Sequence, residues 1–511
     1  MHIHPQQREE ALDGASAARN LVSLLTPLLT DDTGYSSGTS SPVQMSTRDC
    51  RGILSAIQAL VPTLIPDSPI FAAFHDGQVH DPLGGGSYAF QDDLVGPVLQ
   101  ALLNDEALSN DDKRRAGNRS DETSTQNCPT TNHELNTQRP IPLPNRPIVI
   151  HAGVQPNNSP HVGTIVVFCY AFSLARGIRD RMQAAAVNVD DEPPFVSVEI
   201  TFVDTAPVKG EGTEIGGIEY QRSYRDVPGA LDTYMADYEE VLYLLSTWSG
   251  IRVTTAFQYN LFSSPIIPSI LRYFVAHHDL LGRQLSPKHG KLALRAACPI
   301  PGCALAEKHG QLNIYNDTNH AQNKTASPAA NDPTITFHCP HHGPHTISVS
   351  NPADVARLEA NAPARSLIRS MSHLLDTKAH HVRITGADYA GMYQEMFLYR
   401  PLAAWSAATG LAAGRTPHIL YAPLIVDWSG AKLSKTLYVR EGGYNAMKLF
   451  GTDGLGSFAQ LKSRFGSNGS EGLRRIWEEV QGWLGDPKKL FRPFSLEYLQ
   501  RVIIEEKKWE S

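Results

Sequence analysis

Apolar positions along this chain fall into two patterns: short β-branched runs, and longer stretches in which apolar residues recur three and four apart. Ile148, Val149 and Ile150 form the first run, which suits a strand buried on both faces. The turn residues PNNSP follow. Ser159 then reads as a helix N-cap and Pro160 as the first helical residue, so a helix starts at His161 and runs to about Met182. FVSVEITF predicts a second strand with Asp204 just beyond it, Tyr234 to Ser249 a helix, and IRVTTAFQY a third strand. Residues 265 to 295 read as helical with a polar break at SPKHGK. Val382 to Thr385 is a strand that leads through Gly386-Ala387-Asp388 into a helix, and PHILYAPLIVDW is the last strand region, delivering Asp427.

These patterns divide the chain. Residues 1–103 predict an N-terminal helical extension, interrupted by the Gly/Ser/Thr-rich GYSSGTSSP. Residues 104–145 carry almost no apolar side chains, cannot offset their ordering entropy by burial, and read as a disordered linker with Cys128 as an exposed thiol. Residues 146–295 and 351–440 form two halves of a core, 296–350 an insertion between them, and 441–511 a small helical C-terminal region.

Composition adds little beyond limits. With 511 residues, 41% apolar and 19% charged, the chain resembles ordinary globular proteins. Its net charge of -7 announces no nucleic-acid partner in bulk, although basic surface can be confined to one face. There is no run of 18 apolar residues and no secretory signal pattern, so the expectation is a cytoplasmic protein with no membrane partner. Six cysteines in so long a chain do not make a disulfide framework.

Three constellations carry chemistry. A helix beginning at His161 points unpaired N–H groups and a positive dipole end above the preceding strand, which favours a phosphate or carboxylate. Asp204 and Asp388 sit at strand ends, where ligands gather in an open parallel sheet, and are weighed against plain turn or helix capping. In the insertion, Cys298 and Cys303 flank a turn and Cys339 has His341 and His342 close behind it. Those ligand types fit a structural zinc ribbon, with Cys298, Cys303 and Cys339 as thiolates and His341, or its neighbour His342, as the fourth ligand.

His161-Val162-Gly163-Thr164 resembles the HIGH signature of class I aminoacyl-tRNA synthetases and related nucleotidylyl transferases, and Lys432-Leu433-Ser434-Lys435-Thr436 resembles their KMSKS signature. The similarity covers about residues 146–440, and its order, with a metal-binding insertion between the two halves, is most similar to the class I type of lysyl-tRNA synthetase. The resemblance implies a HUP, Rossmann-like α/β fold: a parallel sheet with helices on both faces. It implies that His161, Lys432 and Lys435 are catalytic, holding phosphates and pyrophosphate, and that Ser159, Gly163, Thr164 and Ser434 bind nucleotide. Asp204, Asp388 and Asp427 would face an amino-acid ammonium or guanidinium group. ATP with magnesium, amino acids, and tRNA or aminoacyl-tRNA follow as ligands and partners.

Synthetases that read an anticodon carry a sizeable C-terminal domain, whereas only about 75 residues follow KLSKT here. Together with the low-complexity N-terminal region, this leads the expectation to a tRNA-dependent cyclodipeptide synthase of secondary metabolism. Such an enzyme joins two aminoacyl groups, one of them arginine, from charged tRNAs into a diketopiperazine. The alternative is an ATP-dependent amino-acid activating ligase of the class I synthetase type, lysyl- or arginyl-like, which the two intact ATP signatures favour. A catalytically idle binding protein is the third reading, and the retained His and Lys residues speak against it.

Overall fold

The computed structural model describes residues 93–117, 143–186, 195–208, 210–317, 332–409, 417–427, 429–432, 447 and 453–504. The expected N-terminal extension up to residue 92, most of the linker, Cys128, Ser434 and Lys435 lie outside the described residues.

The strands read from the sequence are all present. Strands β1 (Ile148–Val154), β2 (Val196–Phe202), β3 (Arg252–Phe257), β4 (His380–Gly386) and β5 (His418–Ala422) form one sheet in the order β5-β4-β1-β2-β3. Every neighbouring pair is parallel. The chain steps outward from β1 to β3, then returns to the other side of β1. The order therefore reverses between β1 and β4, the place where an open α/β sheet leaves a crevice at its carboxyl edge.

Alternation along the strands separates two faces. Ile148, Ile150, Ala152, Val198, Ile200, Val382 and Ile384 belong to one core together with helix α2 (Val162–Ala185). By length and composition α2 would span a bilayer; here it is the central core helix of that face. Helices α5 (Glu471–Leu484) and α6 (Leu496–Ile504) join the same core through Leu473, Ile476, Trp477, Val480, Trp483, Leu499 and Ile503. Phe494 and Ser495 also pair in parallel with Ile425 and Val426. The described helices after KLSKT are thus spent on covering α2. Trp483 is fully buried, stacks on Phe494 at 4.1 Å and donates its indole N–H to Glu479 at 2.9 Å.

The opposite face has a second core, built from α3 (Ile267–Ala276), α4 (Ala362–Leu375) and Ile419 and Tyr421 of β5. Under α4 the sheet is polar: His151 Nδ1 meets Glu199, His151 Nε2 meets His381 at 2.8 Å, and His381 reaches Asp376.

Helix α1 (Val95–Gly117) corrects the sequence reading, because it continues 14 residues into the segment 104–145 taken as disordered. Its sequence NDEALSNDDKRRAG lacks an apolar stripe but is rich in good helix formers. It is tethered by hydrogen bonds instead: Asp105 binds His418 and Glu106 binds His380, each at 2.7 Å, at the amino edge of the sheet.

Candidate functional site

A cavity of about 1040 Å³ opens at the carboxyl edge of the sheet, at the reversal between β1 and β4. It is lined by the ends of β1 (Gly153, Val154) and β4 (Thr385, Gly386), the start of α2, Lys432, and one side of α4. Ser159, His161, Gly163 and Thr164 all line it.

His161 is itself the N-cap of α2, where the sequence suggested Ser159; its extended backbone (ψ 163°) places the helix start one residue later. The imidazole Nδ1 accepts from the Thr164 N–H at 3.3 Å. That fixes the other nitrogen, Nε2, as the N–H donor, with the Thr164 hydroxyl oxygen 3.4 Å from it. Ser159 is engaged elsewhere, since its hydroxyl accepts from the Ala459 N–H at 3.3 Å and ties the entry of α2 to the C-terminal region. Gly163 leaves space for the ring, because a Cβ there would lie 3.0 Å from the imidazole. Burial, reinforced by the nearby Lys432 charge, lowers the His161 pKa to about 4. At neutral pH the site therefore presents a neutral donor on a helix dipole.

Lys432 comes from the segment after β5. Asp427 builds the turn that delivers it, accepting from the Ser429 and Ala431 backbone N–H groups at 2.9 Å each, while Val426 and Lys432 pair as an isolated antiparallel bridge. The Lys432 ammonium bonds Asp388 at 2.8 Å. Glycine at 386 permits the pair, because a Cβ would approach the Asp388 carboxylate to 2.6 Å. The histidine and the first lysine of the two distant motifs thus converge on one cavity.

The three acidic residues expected to hold a cationic amino acid are not brought together in the cavity lining. None of them lines the cavity. Asp204 is 1% exposed, its pKa raised by burial against the pull of Arg225. Asp388 is neutralised by Lys432, and Asp427 is a turn former. The cavity wall carries Arg365, Arg369 and Arg383, which the sequence reading missed, while its two lining carboxylates are Glu214 and Glu219, the latter paired with Lys308. Two signals pointed to the arginines: the one-turn spacing of Arg365 and Arg369, and an arginine inside the otherwise apolar strand VRIT.

In the insertion, Cys298, Cys303, Cys339 and His342 bring their ligand atoms within 4.8 Å of one another. Cys303 and Cys339 sulfurs are 3.6 Å apart, and His342 Nδ1 lies 3.4 Å from Cys298 and 3.6 Å from Cys339. Four ligands roughly 2.3 Å from a tetrahedral ion would be separated by about 3.8 Å, so the cluster has the dimensions of a zinc site. The fourth member is His342, not His341. Cys339 ends one strand and Gly343 starts the next, and the tight turn between them (residues 340–342) sends only His342 back to the sulfurs.

Acid should loosen the fold. His161 and His380 each have pKa values lowered to about 4, chiefly by burial. The unfolded chain takes up these protons near pH 6.5 and the folded chain does not, so stability present above that pH is lost as pH falls from about 6.5 to 4. For His161 alone the loss is on the order of 3 kcal/mol. Denaturant midpoints measured at pH 7.5 and 5 should show it; equal midpoints would contradict this account.

No protein-family model matches the sequence, and no curated protein matches it. Solved structures give weak likenesses. One is a glutamate-tRNA synthetase from Elizabethkingia anophelis, with 11% identity over 56% of this chain and 52% of that one, at a TM-score of 0.23. Another is a glutamate tRNA ligase from Elizabethkingia meningosepticum, in complex with its amino acid, with 11% identity over 56% and 51% and a TM-score of 0.25. A putative arginyl t-RNA synthetase from Campylobacter jejuni has 10% identity over 70% and 83%, at 0.24. The chain spans about half the length of the first two. All three are similar to this chain only distantly, and its α/β architecture with a parallel sheet flanked by helices rests on its own strand order.

Proposed function

We propose that this chain is an ATP-dependent ligase that activates an amino acid as its adenylate and passes the acyl group to a tRNA or tRNA-like acceptor. The observation that carries the reading is the convergence of His161, at the tip of α2, and Lys432 on one cavity at the sheet reversal. In the reaction the substrate carboxylate oxygen bonds to the α-phosphorus of ATP and the bond to the bridging oxygen of pyrophosphate breaks, so negative charge grows on phosphate oxygens. The His161 N–H, the free N–H groups of α2 and the Lys432 ammonium are the donors available to meet that charge. Magnesium would ride on the nucleotide; of the carboxylates at the cavity, Glu219 is bonded to Lys308, and Asp388, just outside its lining, is bonded to Lys432. A zinc ion held by Cys298, Cys303, Cys339 and His342 would stabilise the insertion and take no part in the chemistry.

Pyrophosphate exchange tests the reading. Purified protein with ATP and the twenty amino acids should return labelled pyrophosphate into ATP for at least one of them; no exchange with any, with or without tRNA, would remove it.

A second reading, tRNA-dependent cyclodipeptide synthesis in the cytoplasm, draws support from α5 and α6, whose apolar faces are packed onto the core. Its arginine-specific form would have to use Glu214 or Glu219, since Arg365, Arg369 and Arg383 line the same cavity. A diketopiperazine formed from charged tRNAs without ATP would establish it over the ligase.

A further inference from the structure

Arg365 and Arg369 stand one helical turn apart on α4, and Arg383 points from β4 toward the same side of the sheet. All three line the cavity. Their polar contacts are to neutral groups: Arg365 donates to the Ala360 carbonyl at 3.2 Å, Arg369 to the Gln258 side chain at 2.7 Å, and Arg383 to the Ser366 hydroxyl at 2.5 Å. Among the described residues no carboxylate lies within ion-pair distance of any of them. The acid that acts on Arg369 from farther away, Glu199, is already bonded to His151.

Such a cluster is costly without a partner. Burial, followed by mutual repulsion, lowers the pKa of Arg369 to about 9, and burial with Arg295 and Arg383 nearby lowers that of Arg365 to about 10, so both stay charged at neutral pH. Each guanidinium has five N–H donors and spends few of them on protein. Held cations with spare planar forks are what a carboxylate needs for two-point recognition. The cluster also lies across the sheet from α2, on the α4 side, away from the helix tip that the proposed reaction uses for phosphate.

We propose that Arg365, Arg369 and Arg383 form an anion-binding subsite that selects an acyl substrate bearing a second carboxylate, an acidic amino acid. This rests on the reading that the cavity binds the acyl substrate, and it reverses the basic specificity drawn from the sequence.

Calorimetry and thermal shift on the full chain, with L-glutamate, L-aspartate, L-lysine, L-arginine and inorganic phosphate as separate probes, test it without requiring turnover. Glutamate or aspartate should bind, lysine and arginine should not, and Arg369→Gln and Arg365→Gln should each weaken binding by about tenfold or more. Both variants should also melt no lower than the parent without ligand, because each removes an unpaired buried cation. Binding of phosphate but neither acidic amino acid would make the cluster an extension of the phosphate site and overturn the proposal. So would tighter binding of lysine or arginine, or a melting point lowered by both substitutions. Pyrophosphate exchange by the parent separates the two readings. Arginine-dependent binding of an acidic amino acid with no exchange sinks the ligase and keeps the subsite; exchange with basic amino acids alone does the reverse.

Discussion

Replacing Lys432 with alanine is expected to cut pyrophosphate exchange by about 10²- to 10³-fold while leaving amino-acid binding within a few-fold of the parent. The ammonium is fixed by Asp388 at 2.8 Å and by the bridge to Val426, so it meets developing phosphate charge without reorganising. Donors of that kind are typically worth about 3 to 4 kcal/mol at the transition state and little in the ground state. Steady-state exchange kinetics distinguish the two: kcat should fall and KM for the amino acid should hold. His161→Ala should behave alike, with an added stability loss of about 1 kcal/mol from the missing cap. Asp388→Asn is the informative companion, since it frees the lysine without removing it; an unchanged kcat for both Lys432→Ala and His161→Ala would detach the cavity from the chemistry.

Breaking the proposed zinc site should have the largest effect on stability. Cys339→Ser is expected to lower bound zinc from about one per chain to none and to destabilise the insertion by several kcal/mol, as structural zinc supplies folding free energy outright. Against burial, which raises it, backbone N–H groups of His341 and His342 bring the Cys339 thiol down to about 7, so a ligating thiolate is available near neutral pH. Metal content by mass spectrometry and protease sensitivity of residues 298–348 after chelation read the result. His341→Ala should leave zinc in place and His342→Ala should not; the opposite pattern would show that the hairpin tip has been misassigned.

The strands were legible because a sheet covered on both sides writes itself as short β-branched runs, and VIH, VSVEI and VRIT survive a polar residue in each. The His161 and Lys432 convergence was legible from motif order. What escaped had identifiable causes. The cap of α2 was set two residues early by the Ser159-Pro160 pair, whose serine hydroxyl is engaged 300 residues away at Ala459. Residues 104–117 looked too polar to order, because hydrogen bonds to histidines at a sheet edge leave no periodicity. His342 over His341 is decided by a tight hairpin turn. The arginine cluster comes from a helix and a strand whose sides only the packed sheet defines, while Asp204, Asp388 and Asp427 share the right local setting but stay outside the cavity lining.

The strand order also dictates how the polypeptide can mature on the ribosome. Helix α2 is synthesised early, yet the tryptophans that cover it arrive some 300 residues later, and β1 waits more than 200 residues for its neighbour β4. During that interval an apolar helix and an open strand edge are exposed together, a setting in which misassembly competes with completion. Nascent chains arrested before Trp477 should bind chaperones and resist solubilisation, whereas those released after α6 should not.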